Sequence, residues 1–474
     1  MFSFFAAIVV LILGYLFYGK LMEKVFGFNP ERPVPAIEKK DGVDYVPLPW
    51  YKAFLIQLLN IAGLGPIFGA VAGALWGPAV FLWIAIGGIV VGAVHDYMIG
   101  MMSVRHEGKN VPEIVAQYMG KGMKYVTNVF IVILLVLVGT VFVSGPAGLL
   151  AGLTPDFMNA RLWIFIIIAY YFLATLLPID KIIAPIYPVF GALLLVMGIG
   201  VGGAIILGGY QIPEITLANL HPRELPIWPL MFITVACGAV SGFHSTQSPI
   251  MARCLQNEKL GRKVFFGPMI VESVIAMIWA AASMAFFGTT QALADAGAAP
   301  AVVRGISFGL LGTVGGTLAI LGVIVLPITS GDTAFRAARY VISEFFKFDQ
   351  GKIKNRYIIA IPLLALGLAL TYIDFGILWR YFAWSNQTVA AIVLWTASLY
   401  LLKNSRQYWV TLIPATFMTA VTVTYILQAP EGFSLSTAIS YPVGIIVAII
   451  LLAVFLWQAM RPAGSVTVAP SAGK

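Results

Sequence analysis

The sequence predicts an all-α polytopic membrane protein. Of its 474 residues, 60% are hydrophobic and only 10% are charged, whereas soluble proteins carry about 25% charged residues. The apolar residues form runs long enough to cross a bilayer as helices, which takes about 20 residues. Two of these runs are broken by glycine and proline at matching positions, and this third observation predicts the architecture within the class.

The apolar runs predict about 13 transmembrane helices. No basic residue precedes the first run, so we interpret it as a retained helix and not as a cleaved signal peptide. The last residues, 461–474, are predicted to form a disordered tail. The predicted spans lie near residues 2–19, 52–75, 78–102, 126–150, 161–179, 183–208, 227–252, 264–288, 312–334, 356–374, 376–402, 408–428 and 437–460.

The basic residues predict the orientation of these spans. If the N-terminus lies outside, 25 of the 29 Lys and Arg residues fall on the cytoplasmic side, as positively charged loops require. The C-terminus is then predicted to lie in the cytoplasm. The net charge of +9 is explained by these loops and by contact with membrane lipids, so no nucleic-acid partner is predicted.

Two interrupted helices predict an internal repeat. The segments "LLNIAGLGPIFGAVAG" (58–73) and "GAVSGFHSTQSPIMAR" (238–253) place polar and helix-breaking residues at membrane depth. The two breaks lie an odd number of spans apart, so the second helix crosses in the opposite direction. This is typical of inverted five-helix repeats that each open with a discontinuous helix.

The repeat predicts a domain organisation. An additional helix at 1–22 precedes the first repeat at 48–210 and the second, inverted repeat at 224–405. Two further helices at 406–460 follow. An alanine-rich external segment, 289–309, is predicted to be either a helical lid over the cavity mouth or an ordinary interfacial helix.

The breaks are the predicted substrate site, because non-helical backbone at this depth must line protein or a water-filled cavity. The alternative is a glycine-rich face for helix packing. In the eleventh span, Asn386 and Gln387 either coordinate substrate or join two helices through hydrogen bonds. The predicted substrate-binding residues are Asn60, Gly63, Gly65, Gly238, Ser241, His244, Gln247 and Asn386.

Ionisable residues within the spans are predicted to couple transport to an ion, since such residues are costly in a membrane. Asp332 with Ser330 and Thr333 suits a cation or proton site, although Arg336, four residues on, offers a simple ion pair. His95 and Asp96 are neighbours that point about 100° apart on a helix, so they need not pair. Glu272 either couples transport or bonds a neighbouring helix, and Lys181 either replaces a sodium ion or pairs with Asp180.

No motif of an enzyme is present, and no cofactor is expected. An alternative function is a membrane redox protein in which His95 and His244 bind haem or a metal, since histidine is a usual axial ligand. The two cysteines, Cys237 and Cys254, do not suggest a disulfide framework.

Four long motifs resemble the carbon starvation protein family: "LPWYKAFLIQLLNIAGLGPIFGA" (48–70), "VHDYMIGMMSVRHEGKNVPEI" (94–114), "PIDKIIAPIYPVFGA" (178–192) and "ITVACGAVSGFHSTQSPIMARC" (233–254). The resemblance implies an inner-membrane carrier for peptides or pyruvate, driven by protons, in the amino acid–polyamine–organocation superfamily with its inverted repeat. It also implies that the two broken segments line the substrate site and that Asp332 with its hydroxyl neighbours is a coupling site. From the residues and the resemblance together, we expect a secondary active transporter that works by alternating access and couples uptake to protons or sodium ions.

Overall fold

The structure is a computed structural model that describes residues 1–42, 44–175, 187–349, 352–404 and 406–460. Within these ranges the chain is helical and forms no β-sheet; Leu48 and Leu255 make an isolated bridge. The helices are α1 (Phe2–Phe26), α2 (Trp50–Ile61), α3 (Gly65–Arg105), α4 (Val111–Met119), α5 (Lys121–Ala151), α6 (Ala160–Ala174), α7 (Tyr187–Leu207), α8 (227–234), α9 (Gly242–Ala252), α10 (Glu258–Phe287), α11 (Thr290–Asp295), α12 (Ala299–Phe345), α13 (Ile353–Leu370), α14 (Phe375–Lys403), α15 (Trp409–Gln428) and α16 (Thr437–Ala459).

The all-α membrane fold class is confirmed. Nine helices of the described ranges are long and apolar enough to cross a membrane. One of them, α3, turns at Gly77 (φ 76°) and so contains the end of the predicted span 52–75 and all of the predicted span 78–102. The short α6, the broken α8–α9 pair and the more polar α14 also coincide with predicted spans. The total of 13 spans and the inverted repeat therefore stay predictions.

The first discontinuous helix is present where glycine and proline predict it. Helix α2 ends at Ile61, because Ala62 leaves the helical region (φ −79°, ψ 56°). The chain resumes a helical path at Gly65, and Pro66 follows at the start of α3, where a missing N–H does no harm. Since Gly65 and Phe68 are both buried, this break lies inside the protein.

The second discontinuous helix is interrupted over a longer stretch. Helix α8 ends where Val235 adopts φ −89° and ψ 66°. Ser241 is extended, with φ −144° and ψ 119°, and Gly242 begins α9. Between them Cys237 has a positive φ of 39°, an uncommon conformation for a residue with a side chain.

The two breaks face each other, and glycines permit this. A Cβ atom added to Gly65 would lie 2.1 Å from Cys237 Cβ, and one added to Gly92 would lie 2.4 Å from the carbonyl oxygen of Ala239. Neither position therefore has room for a side chain. Small residues allow backbones to approach closely in membrane proteins, and here they bring the two halves of the chain together.

Helix α14 crosses the second break and packs on α9, α5 and α15. Helix α10 packs on both α2 and α3, so these two helices enclose the breaks from different sides. At the periphery, α1 and α16 expose large apolar side chains such as Phe17 and Trp457. In a membrane protein such faces contact lipid.

Candidate functional site

Four ionisable side chains meet beside the second break, and all four are completely buried: His95, Asp96, His244 and Glu272. His95 Nδ1 lies 2.8 Å from Asp96 Oδ1, and His244 Nδ1 lies 2.8 Å from Asp96 Oδ2. His244 Nε2 lies 3.3 Å from Glu272 Oε2. We call these four residues the buried relay.

Three helices assemble the buried relay. His95 and Asp96 lie in α3, His244 lies in the first turn of α9, and Glu272 lies in α10. His95 and Asp96 pair although they are neighbours in sequence, because the imidazole reaches round the helix to the carboxylate. The break itself positions His244, since it places the start of α9 against Asp96.

The hydrogen bonds define which ring nitrogen of His244 carries a proton. A carboxylate only accepts hydrogen bonds, so the Nδ1–H of His244 donates to Asp96. Nε2 then faces Glu272, but the two groups are not aligned as a hydrogen bond. Among the described residues, none donates to either oxygen of Glu272. Two buried carboxylates so close together need a compensating proton or cation.

A second polar group adjoins the buried relay and caps α9. Asn386 Oδ1 accepts a 2.7 Å hydrogen bond from the N–H of Phe243. Its Nδ2 donates to Ser241 Oγ at 3.1 Å and to Cys237 Sγ at 3.4 Å. Asn386 thus holds the N-terminus of α9, which lies in the predicted substrate site.

Side chains from α14 and α3 also bond the carbonyl end of α8. Gln387 donates to the carbonyl oxygen of Phe232 at 2.6 Å, and Trp379 Nε1 donates to that of Thr234 at 3.3 Å. Trp83 Nε1 donates to the carbonyl oxygen of Val235 at 3.3 Å. Asn386 and Gln387 were predicted either to coordinate substrate or to join two helices. Their hydrogen bonds here are of the second kind, because they connect α14 to α8 and α9.

A cavity of about 430 Å³ adjoins both breaks. Phe68, Thr234 and Trp379 line it, and each lies within a few residues of a break or bonds to one. Its other walls include the 221–225 segment and the segment predicted as a lid, here α11 and the start of α12. The cavity therefore connects the breaks with one end of the helix bundle.

The opposite end is closed by an ion pair. Arg105 donates to Glu258 at 3.0 and 3.1 Å, to the carbonyl oxygen of Gly27 at 2.8 Å and to Tyr400 at 3.0 Å. Tyr400 lies 25 residues after Phe375 along α14, roughly 38 Å at 1.5 Å per residue. Phe375 lines the cavity, so this ion pair lies at the end of the bundle far from the cavity.

Asp332 lies apart from the buried relay. It forms a 2.7 Å ion pair with Arg336, one turn along α12. Its neighbour Thr333 donates to the carbonyl oxygen of Ser330 at 2.8 Å. The structure thus contains the simple ion pair that the spacing allows, and a coupling role for these three residues stays a prediction.

The other predicted residues have varied surroundings. Gln247 is buried and donates to its neighbour Thr246 at 2.9 Å. Asn60 is half-buried in the last turn of α2. A Cβ on Gly63 would lie 2.6 Å from Phe142, and one on Gly238 would lie 2.6 Å from Ala276, so these glycines allow close packing. Lys181 and Asp180 lie outside the described residues.

Two residues of this region were not predicted. Cys237 lies in the second break, and its position in "VACGAV" was the available signal. Gln57 is fully buried, and neither its oxygen nor its nitrogen has a hydrogen-bond partner in the described part of the chain. Its place in the sequence, a single polar residue about one turn before the first break, was the available signal for Gln57.

The geometry does not suit haem between His95 and His244. Both rings direct Nδ1 at the same carboxylate of Asp96. Nε2, the nitrogen left to ligate iron, faces Glu272 in His244 and not His95.

Two broken helices that face each other, a buried titratable cluster beside one break and a cavity lined by both helices are together characteristic of a secondary transporter. A sequence profile described as "Carbon starvation protein CstA" matches residues 1–155, 151–308 and 280–425. The chain belongs to the carbon starvation protein family, and it is a secondary transporter.

Relatives agree with this assignment. An uncharacterised membrane protein of Haemophilus influenzae is 43% identical over 62% of this chain and 93% of its own length. The peptide transporter CstA of Bacillus subtilis is 28% identical over 89% of this chain and 88% of its own length. The pyruvate/proton symporter BtsT of Escherichia coli is 27% identical over 58% of this chain and 47% of its own length.

A solved structure shows the same fold. The Eremococcus coleocola manganese transporter, in complex with an aromatic bis-isothiourea substituted compound, superposes with a TM-score of 0.55 at 13% identity. The match covers 89% of this chain and 97% of that chain.

Proposed function

We propose that this transporter imports short peptides together with protons, by alternating access between the two sides of the inner membrane. The observation that carries the proposal is the buried relay beside the break between α8 and α9, together with a cavity lined by residues of both broken helices. Peptide transporters among the relatives align over most of this chain, and the proton-coupled relative supports the choice of ion.

The cavity suits a zwitterion larger than pyruvate. Its volume of about 430 Å³ falls within the range of about 300–1,000 Å³ that holds drug-sized ligands. Trp76, Phe375 and Trp379 supply aromatic walls for peptide side chains, while Arg223 and Asp374 place opposite charges on its lining. A free peptide carries a carboxylate and an ammonium group, which match these two charges.

The buried relay is the proposed proton site. A proton taken up between His244 and Glu272 would offset the charge of the Glu272 carboxylate, and Asp96 would then compensate the positive charge on the imidazole. A proton shared by this pair would lie next to Ser241 and Asn386, which hold the start of α9. Binding and release of the proton would thereby act on the helix end that closes over substrate.

The proposed coupling site differs from the one expected from the resemblance. His244 was predicted to bind substrate, and its two contacts in the buried relay, with Asp96 and Glu272, now favour a role in coupling. Asp332, Ser330 and Thr333 are separated from this cluster, and we assign no transport step to them.

Uptake into proteoliposomes tests the proposal. We expect a labelled dipeptide to accumulate when the outside is acidic, and a protonophore to abolish the accumulation. A sodium gradient alone is expected to drive none. Absence of dipeptide accumulation under either gradient would contradict the proposed function.

Pyruvate is the second candidate substrate, because one relative is a pyruvate/proton symporter. It is tested in the same vesicles with labelled pyruvate and with unlabelled pyruvate as a competitor of the dipeptide. Accumulation of pyruvate that a dipeptide does not inhibit would replace the peptide in the proposal.

A further inference from the structure

We propose that Cys237, His244 and Glu272 bind a divalent transition-metal ion of the Zn²⁺ type, which occupies the break and blocks transport. The block of transport, in which the metal ion replaces the coupling proton, rests on the proposed function. The metal binding itself does not. We call these three residues the metal triad.

The metal triad has the donors and spacing of a metal site. One ligand atom of each residue, Cys237 Sγ, a His244 ring nitrogen and a Glu272 oxygen, lies within 4.8 Å of the others, and all three residues are buried. Zinc bonds thiolate sulfur at about 2.3 Å and imidazole nitrogen at about 2.0 Å. Side-chain movements of about 1 Å would bring the three atoms to one tetrahedral ion.

His244 is already oriented as a metal ligand. Its Nδ1–H donates to Asp96 at 2.8 Å, which leaves the lone pair of Nε2 facing Glu272. A carboxylate behind the imidazole is the usual outer partner of a metal-binding histidine, because it fixes the ring and its tautomer. Asp96 is itself held by His95 at 2.8 Å.

Unpartnered buried atoms point into the same space. His244 Nε2 and both oxygens of Glu272 have no hydrogen-bond partner among the described residues. Buried polar atoms are nearly always partnered. A cation between them would satisfy the three atoms together.

The backbone and a neighbouring amide hold Cys237 at this place. Its φ of 39° is in the left-handed region, and strained residues of this kind persist where the surroundings fix them and cluster at functional sites. Asn386 Nδ2 lies 3.4 Å from Cys237 Sγ and would donate to a thiolate there.

The donor set selects the class of ion. Thiolate and imidazole favour zinc and related transition metals, while magnesium and calcium prefer oxygen ligands. The ion would displace the thiol proton of Cys237 and the proton shared by His244 and Glu272, since ligands must be deprotonated. An occupied triad would join the second break to α10 and prevent the helix ends from moving.

Cobalt binding to the purified full-length protein tests the site directly. Co²⁺ bound by a thiolate gives a charge-transfer absorption band in the near ultraviolet, and we expect one equivalent to produce it. Cys237→Ser should lose the band. Cys254→Ser is the matched control and should keep it, because Cys254 is the other buried free cysteine and lies outside the triad.

A second variant keeps the test decisive if Cys237→Ser does not fold. Glu272→Gln retains the thiolate, so it should keep the band while its affinity for Co²⁺ falls by about 10-fold or more. A wild-type protein without the band, or a folded Cys237→Ser protein that retains it, would overturn the proposal. An unchanged affinity of Glu272→Gln for Co²⁺ would show that the carboxylate is not a ligand, and this would overturn the proposal as stated.

Uptake measured with and without Zn²⁺ separates this inference from the proposed function. We expect Zn²⁺ to inhibit dipeptide uptake by the wild type and by Cys254→Ser, and a chelator to restore it. Cobalt binding without any dipeptide uptake would leave the metal site standing and contradict the proposed function. Dipeptide uptake without cobalt binding would support the proposed function and overturn the metal site.

Discussion

The chemistry of the site depends on a few side chains whose partners lie far away in sequence. Asp96 accepts from His244, which is 148 residues further along the chain. Glu272 meets the other side of the same imidazole. Since all of these groups are completely buried, their charges must balance within the cluster, and a single proton changes that balance.

Glu272→Gln is expected to uncouple transport. The amide has nearly the same shape as the carboxyl group but cannot exchange a proton with His244. Proton-driven accumulation of dipeptide should be lost, while exchange of labelled for unlabelled peptide across the vesicle membrane persists. Glu344→Gln changes an exposed residue of α12 and should accumulate peptide like the wild type. Normal accumulation by Glu272→Gln would exclude Glu272 from coupling.

At the scale of the elements, α14 holds both ends of the second break. Gln387 and Trp379 bond the carbonyl end of α8, and Asn386 caps the start of α9. Non-helical backbone is tolerated at membrane depth where protein satisfies its polar groups. The broken helix is therefore stable as long as α14 stays beside it, and a rearrangement of α14 would release groups at both ends.

Asn386→Ala is expected to destabilise the protein, because it leaves the N–H of Phe243 buried without an acceptor. Loss of a helix cap costs about 1 kcal/mol, and an unsatisfied buried group costs about 1–3 kcal/mol. Thermal unfolding in detergent should therefore begin at a lower temperature. Asn159→Ala removes the cap of α6, where Asn159 accepts from Leu162 at an exposed position, and should have a smaller effect because water can replace the cap. An equal shift in the two variants would contradict this role of Asn386.

At the scale of the whole molecule, the structure is open at the end where the cavity lies and closed where Arg105 meets Glu258. The cavity lining includes Arg223 and Arg380; the predicted orientation leaves four basic residues outside, and these are Arg161, Arg223, Arg304 and Arg380. With the predicted orientation, the cavity lies toward the outside, and Arg105 and Glu258 lie toward the cytoplasm. Opening to the cytoplasm would require separation of Arg105 from Glu258.

The orientation is tested with reporter fusions. Green fluorescent protein joined to the C-terminus should fluoresce, because the basic loops place that end in the cytoplasm. Alkaline phosphatase joined in the external loop after α7 should be active. A dark C-terminal fusion together with an inactive loop fusion would reverse the predicted topology.

Much of the fold follows from local sequence. Hydropathy places the helices, and glycine and proline place the first break at Ala62, because these signals act on the backbone where they occur. The second break, 235–241, overlaps only the start of the predicted segment 238–253, because Gly242–Ala252 is helical with Pro249 inside the helix. The close packing at Gly65 and Gly92 was not predictable from the same signals. A glycine that lines a site and a glycine that admits a neighbouring backbone look identical in sequence.

The sequence by itself determined the membrane class, the two broken helices and the family, since composition, periodicity and motifs are properties of short stretches. It also identified most of the ionisable residues at depth. Only the tertiary structure decided which of them meet: His244 joins Asp96 and Glu272, Cys237 joins the same break, and Asp332 pairs with Arg336. The physical reason is that such contacts depend on how each helix is rotated and packed against helices more than a hundred residues away.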